Sequence, residues 1–142
     1  MATVAQLLQQ KSPAVHSIEP DAPVLAAIAM LAEHGIGALL VMEDQRLVGI
    51  ISERDYARKV ILCGRSSSDT PVSQIMSTPV LTVGPDQSTR ECMELVTNYR
   101  VRHLPVVDDG RLVGLVSIGD VVKAQHALLA TENHFLKSYI HG

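Results

Sequence analysis

Arg46-Leu47-Val48-Gly49-Ile50-Ile51-Ser52-Glu53-Arg54-Asp55 returns sixty-five positions later as Arg111-Leu112-Val113-Gly114-Leu115-Val116-Ser117-Ile118-Gly119-Asp120. Working outward at the same offset and without a gap, Asp44 meets Asp109, and Pro20-Asp21 meets Pro85-Asp86. Apolar character is kept between these identities, as in Ile18 and Val83, Leu31 and Val96, Ile36 and Val101, and Val41 and Val106. The chain is an internal duplication. Each copy is too short to bury much core alone, so its natural partner is its sibling, and a pseudo-two-fold pair is expected.

One copy reads as strand, helix, strand, strand, helix, an α/β (α+β) pattern. In the first copy Ala14 to Ile18 is a short strand, and a helix from about Pro23 to His34 carries Val24, Leu25, Ile28, Leu31 and Ala32 at helical spacing. Pro23 suits its first turn and Gly35 ends it. Gly37 to Met42 and Leu47 to Ile51 are apolar runs of strand length joined by Glu43-Asp44-Gln45, which predicts a hairpin. Ser52 then opens a helix through about Cys63. The second copy repeats the plan: a strand at Val80 to Val83, a helix at about Gln87 to Asn98, strands at His103 to Val107 and Leu112 to Val116, and a helix from Ser117. The polar run Gly64 to Thr70 reads as the hinge between copies. Related lead-ins precede the copies, Val4, Gln6, Leu7 and Leu8 matching Val72, Gln74, Ile75 and Met76. The division expected from this pattern is a first repeat over 1–65, a second over 66–130 and a helical tail over 131–142, with Phe135, Leu136, Tyr139 and Ile140 on its apolar side.

Composition narrows the function classes. A net charge of -3 leaves no broad electrostatic footprint for a nucleic-acid polymer. The longest apolar stretch, Val24 to Ala32, falls far short of the roughly 20 residues that cross a bilayer, so no membrane partner is expected. Without a charged start followed by a long apolar run, the expectation is a soluble chain that is not secreted. Cys63 and Cys92 are isolated and read as reduced thiols in a cytoplasmic protein. No two of the six histidines sit at metal-ligand spacing with a third donor nearby, so no metal site is expected. His34 suits a helix-end dipole partner instead.

The pattern Gly-x-x-Ser-x-x-Asp at 49–55 and 114–120 has two readings. In the first, Ser and the acid three residues later form a capping box that satisfies free amides at a helix start, a role worth ~1 kcal/mol. In the second, a helix start at the end of a strand faces an anionic group, and the carboxylate one turn inside accepts two hydrogen bonds from a ribose diol.

At these residues the chain resembles the tandem cystathionine-β-synthase (CBS) domain family. The order of elements, the doubled signature and the stretch Arg102-His103-Leu104-Pro105-Val106-Val107-Asp108 carry the resemblance over nearly the whole chain. It implies a stand-alone regulatory module with adenosine-ligand clefts between the copies, for AMP, ADP, ATP or NAD; some members bind S-adenosylmethionine or no detectable ligand. In one implied cleft Asp120 holds the ribose and Ser117 the helix start, while Leu115, Ser17, Ala22, Ile36 and Gly37 enclose the adenine. In the other Asp55 and Ser52 take those roles, with Ile50, Thr82, Gln87, Val101 and Arg102. Leu40 stands where the second copy has the family's proline, Pro105.

The copies differ in their cations. Arg54, Arg58 and Lys59 follow Ser52, and a phosphate chain is their expected partner, against a solvated face with Asp55 and Lys59 paired at i,i+4. Beyond Ser117 the nearest helix cation is Lys123. Conversely Arg100, Arg102 and His103 stand where the first copy has Gly35, Gly37 and Ala38; of these, Gly37, Ala38, Arg102 and His103 complete the candidate nucleotide site, His103 serving either phosphate or a strand-end hydrogen bond. A hydrolase needs a nucleophile with a positioned base, or paired acids, and neither occurs as a cluster; His103 with Asp120 is the one acid and base pairing the sequence offers. The expectation is therefore an energy- or redox-sensing module without catalytic activity, acting on another protein and forming a homodimer. The alternative is a ligand-free interaction module in which both Ser-x-x-Asp boxes are caps.

Overall fold

The computed structural model describes residues 2–11 and 15–127; the expected tail helix at 131–142 lies outside them. Two compact units are present. The first unit, Val15–Val80, holds a three-stranded sheet of order β1-β2-β3 built from β1 (Ser17–Ile18), β2 (Ala38–Glu43) and β3 (Arg46–Ser52). β1 runs parallel to β2, and β2 pairs antiparallel with β3. Helix α2 (Val24–His34) connects β1 to β2; Gly35, at φ 62°, supplies the left-handed residue that ends it. Asp44 and Gln45, both at positive φ, form the tight hairpin turn whose twist matches the strands. Helix α3 (Glu53–Tyr56) follows β3 and widens into a π-helical turn over Ala57–Ile61, in place of the single helix expected through Cys63. The core gathers Val24, Ala27, Leu31, Leu39, Val41, Ile51, Val60, Val72 and Ile75.

The second unit joins the N-terminal lead-in to the chain from 81 onward. Its lead-in helix is α1 (Val4–Gln9), followed by α4 (Thr89–Tyr99), β4 (His103–Asp108), β5 (Arg111–Ser117) and α5, helical over 118–127. Val4, Leu7, Val83, Cys92, Val96, Leu104, Val106, Val116 and Val121 make its core. The strand expected at Val80 to Val83 is reduced to a single parallel bridge between Val83 and Val106. The cause is Pro105. In the first unit the amide of Leu40 donates to His16 O at 3.3 Å, and proline at the matching position has no N–H to give.

The units divide the chain differently from the expected 1–65 and 66–130, because each lead-in docks on the repeat it does not immediately precede or, for the second, on the repeat before it. The hydrogen bonds that fasten them are themselves duplicated. Val72 N donates to Ala22 O and Ser73 N to Pro20 O, while Val24 N donates to Thr70 O. In the second unit Val4 N donates to Gln87 O and Ala5 N to Pro85 O, while Thr89 N donates to Ala2 O. The run read as a hinge thus has a fixed end: buried Thr70, together with Ser67 O, satisfies orphan amides at the start of α2.

The signature glycines belong to the same docking. A methyl group on Gly114 would sit 2.6 Å from Leu8 Cδ2, and one on Gly49 would sit 2.9 Å from Met76 Cγ. Leu8 and Met76 are the matching residues of the two lead-ins, so Gly-x-x-Ser-x-x-Asp begins with glycine because a lead-in side chain occupies that space.

Candidate ligand-binding site

Both units place a serine at the strand end and an aspartate one turn into the helix, and in both the capping geometry is complete. In the first unit Asp55 Oδ2 accepts from Ser52 N at 2.9 Å and from Ser52 Oγ at 3.0 Å, and Asp55 N donates to Ser52 Oγ. In the second, Asp120 Oδ2 accepts from Ser117 N at 2.8 Å, and Asp120 N donates to Ser117 Oγ at 3.1 Å. The first helical amides are also used alike: Glu53 N donates to Gly37 O, and Ile118 N to Arg102 O.

The surroundings of the two carboxylates differ. Asp55 is 8% exposed. Its Oδ1 accepts from Ser77 Oγ at 3.1 Å and lies 3.1 Å from Lys59 Nζ, which also donates to Ile75 O. Asp120 is half-buried and takes its cation from outside its own repeat: Lys11 Nζ lies 2.6 Å from Asp120 Oδ2 and donates to Leu115 O at 2.8 Å. Burial by itself raises the Asp120 pKa, but the hydrogen bonds from Lys11 and the Ser117 amide, with the Lys11 charge, outweigh it and hold the carboxyl below its ordinary value. His103, half-buried on β4, has its pKa lowered first by burial and then by Lys11, with Arg102 adding to the same effect and Asp120 opposing it.

Around Asp55 the structure gathers Ser52 and Lys59 of the residues expected from sequence, with Gly37 joined through its carbonyl. Arg54 and Arg58 are exposed, and their guanidinium groups make no hydrogen bond or ion pair among the described residues. Ser17 is exposed, Ala22, Ile36 and Ile50 are half-buried, and Ala38 is closed in the core at 2% exposure. In the second unit Lys11 bonds Asp120 and the carbonyl of Leu115, Ser117 holds Asp120, and His103 feels the charges of Lys11, Asp120 and the exposed Arg102. Thr82 is exposed and Val101 half-buried, while Gln87 Oε1 is taken by the amide of Gly84 at 2.8 Å. Lys11 and Ser77 were not legible as site residues. Neither lies in the duplicated core of the repeats, and only the docking of the lead-ins brings them to the carboxylates.

Among the described residues no group of three or more His, Cys, Asp or Glu side chains is placed to hold a metal ion. None of the described helices is long and apolar enough to cross a membrane. Cys63 and Cys92 are free thiols.

The family model of the CBS domain matches twice, over residues 4–62 and 72–127. The chain is 43% identical over 127 residues to the mitochondrial CBS domain-containing protein CBSX3 of Arabidopsis thaliana, covering 86% of this chain and 62% of that protein. A CBS-domain protein of Burkholderia ambifaria superposes with a TM-score of 0.86 at 50% identity, covering 89% of this chain and 95% of the other. The CBS domain pair of protein MJ0100, solved in complex with 5-methylthioadenosine and S-adenosyl-L-methionine, shares the fold with a TM-score of 0.79 at 24% identity, covering 89% and 98%. With two repeats of matching topology and a family match spanning most of its length, the chain belongs to the CBS domain family and carries a tandem pair.

Proposed function

We propose that the chain is a non-catalytic regulatory module that binds an adenosine-containing ligand and acts on a partner protein through the resulting change in conformation or association. CBS domain pairs act generally as regulatory ligand-binding modules. The observation that carries the reading is Asp120: a carboxylate fixed by Ser117 at a helix start, half-exposed, beside Arg102 and His103. A ribose diol donates to such a carboxylate, apolar Leu115 suits the face of a base, and the cations suit phosphate. Arg54 and Arg58, exposed and without ion pairs among the described residues, serve the same purpose on the first unit. AMP, ADP, ATP and NAD share the adenosine part, as does S-adenosylmethionine, the alternative ligand class. A ribose clamp of this kind contributes roughly 1.5–3 kcal/mol.

The module works as a cytoplasmic homodimer in this reading. Ile118 and Val122, one turn apart on α5, are exposed apolar side chains that a second copy covers; light scattering gives the mass directly. The deciding experiment is thermal unfolding with AMP, ATP, NAD and S-adenosylmethionine, because a ligand of the native state raises the midpoint. If none of the four moves it, the ligand-binding reading is wrong. The complete capping boxes at both aspartates then favour the second reading, a ligand-free interaction module. Chromatography of nucleotide incubated with the protein for hours tests the absence of catalysis; appreciable conversion contradicts it.

A further inference from the structure

Although the two signature aspartates align residue for residue, their carboxylates are engaged to different degrees. A carboxylate offers about four lone-pair sites. Asp55 has three hydrogen-bond donors on them, Ser52 N and Ser52 Oγ on Oδ2 and Ser77 Oγ on Oδ1, and the Lys59 ammonium forms an ion pair with Oδ1 as well. Ser77 is held in turn by the main chain, its amide donating to Ile50 O at 2.8 Å and its carbonyl accepting from Ile50 N at 3.2 Å. At Asp120 the hydrogen bonds from Ser117 N and Lys11 Nζ both fall on Oδ2, the Ser117 hydroxyl is a further partner of the carboxylate, and no counterpart of Ser77 reaches Oδ1 among the described residues. Lys11 there does by side chain alone what Ser77 does with its backbone: its ammonium bonds Leu115 O, the counterpart of Ile50 O, as well as the carboxylate. A lysine side chain swings away without moving a strand; a bridged serine does not.

We propose that the chain carries one working ribose clamp, at Asp120, held shut by Lys11 from the N-terminal lead-in, and that Asp55 has become a structural bolt tying its helix to Ser77. This rests on the adenosine-binding reading above. A diol that engages both oxygens of Asp120 must displace Lys11, so the closed state lowers the apparent affinity by the fraction of molecules in which Lys11 is away. Binding therefore frees Lys11 from Asp120 and Leu115, which couples the ligand to the lead-in at the start of the chain.

The test is calorimetric titration of the full chain with AMP, NAD and S-adenosylmethionine in turn, on wild type, Lys11→Met, Asp120→Asn, Asp55→Asn and Ser77→Ala. Lys11→Met is expected to tighten the best of the three by roughly ten-fold, the worth of a charge-assisted competitor. Asp120→Asn is expected to lose at least about ten-fold. Ser77→Ala, which leaves both carboxylates in place, is expected to lower the thermal midpoint while keeping affinity within about two-fold. Asp55→Asn does the same if it folds; if it does not fold, Ser77→Ala decides. Unchanged or weaker binding in Lys11→Met, or loss on Asp55→Asn with retention on Asp120→Asn, overturns the proposal while leaving adenosine binding intact. Absence of any binding to both wild type and Lys11→Met overturns the underlying reading and the proposal together.

Discussion

Adding one methyl group to a signature glycine tests whether the lead-ins are integral to the repeats. In Gly114→Ala the new Cβ lies 2.6, 3.1 and 3.4 Å from Leu8 Cδ2, Cδ1 and Cγ. Carbon atoms rest about 3.5–4.0 Å apart, so Leu8 must retreat by about 1 Å. Rotating its isobutyl group brings one methyl in as the other leaves, and the displacement passes to α1. Overpacking of this kind costs about 1–3 kcal/mol, offset by about 0.4–1 kcal/mol because alanine restricts the unfolded chain, for a net loss of about 1–2 kcal/mol. In Gly49→Ala the contacts on Met76 include Cβ at 3.2 Å, which moves only with the backbone, so the loss belongs near about 2–3 kcal/mol. Equilibrium urea unfolding of the four-member cycle of Gly114→Ala and Leu8→Ala gives the coupling. The account requires the double variant to be more stable than the sum of the singles by about 1 kcal/mol or more; additivity within about 0.5 kcal/mol refutes the contact.

Three further perturbations follow from local geometry. Arg100 ends α4 at φ 55° in the position Gly35 holds after α2, so Arg100→Gly is expected to stabilise the second unit by about 0.5–1 kcal/mol; a loss in denaturant unfolding contradicts this. Ser88→Ala removes the hydroxyl that accepts from Glu91 N and donates to the Glu91 carboxylate, with an expected cost of ~1 kcal/mol by the same method and no cost if the capping box is incidental. The His103 pKa is lowered in the folded state, chiefly by burial, whereas the unfolded imidazole titrates near about 6.5. The unfolded state therefore binds more protons across that window, and His103 costs stability as pH falls through about 6.5 toward the folded value. Thermal melts between about pH 7.5 and 5.5 should show a shallower loss in His103→Gln than in wild type, and equal slopes remove His103 from the account.

The repeats were legible because duplication doubles every signal. Gly35 and Ser52 mark boundaries by local chemistry, and the limits of α2, α4 and the four hairpin strands fall within two residues of the expected ones, whereas β1 starts three residues later than expected and the helix after Ser52 widens into a π-helical turn. The missing strand at Val83 was written in Pro105, whose lack of an N–H takes effect only once the strand that would pair with it is known. Division into units was not legible. The lead-ins dock through backbone hydrogen bonds and through the absence of a side chain at Gly49 and Gly114, and neither appears in a hydrophobic pattern. The site divided similarly: Ser and Asp positions follow from the doubled signature, whereas Lys11 and Ser77 act across 109 and 22 positions of sequence. For Lys59 the sequence left two partners open, a phosphate chain or Asp55 at i,i+4. In the structure it is engaged by Asp55 and by the carbonyl of Ile75, a partner the spacing did not show.

The most direct measurement is the affinity of the wild-type chain and of Asp120→Asn for AMP, NAD and S-adenosylmethionine by calorimetric titration. At least one of the three binds wild type, and the asparagine variant binds it at least about ten-fold more weakly while retaining the wild-type thermal midpoint to within a few degrees. Equal affinity in the two proteins, or no binding to either wild type or Lys11→Met, contradicts the assignment of Asp120 as the ligand carboxylate.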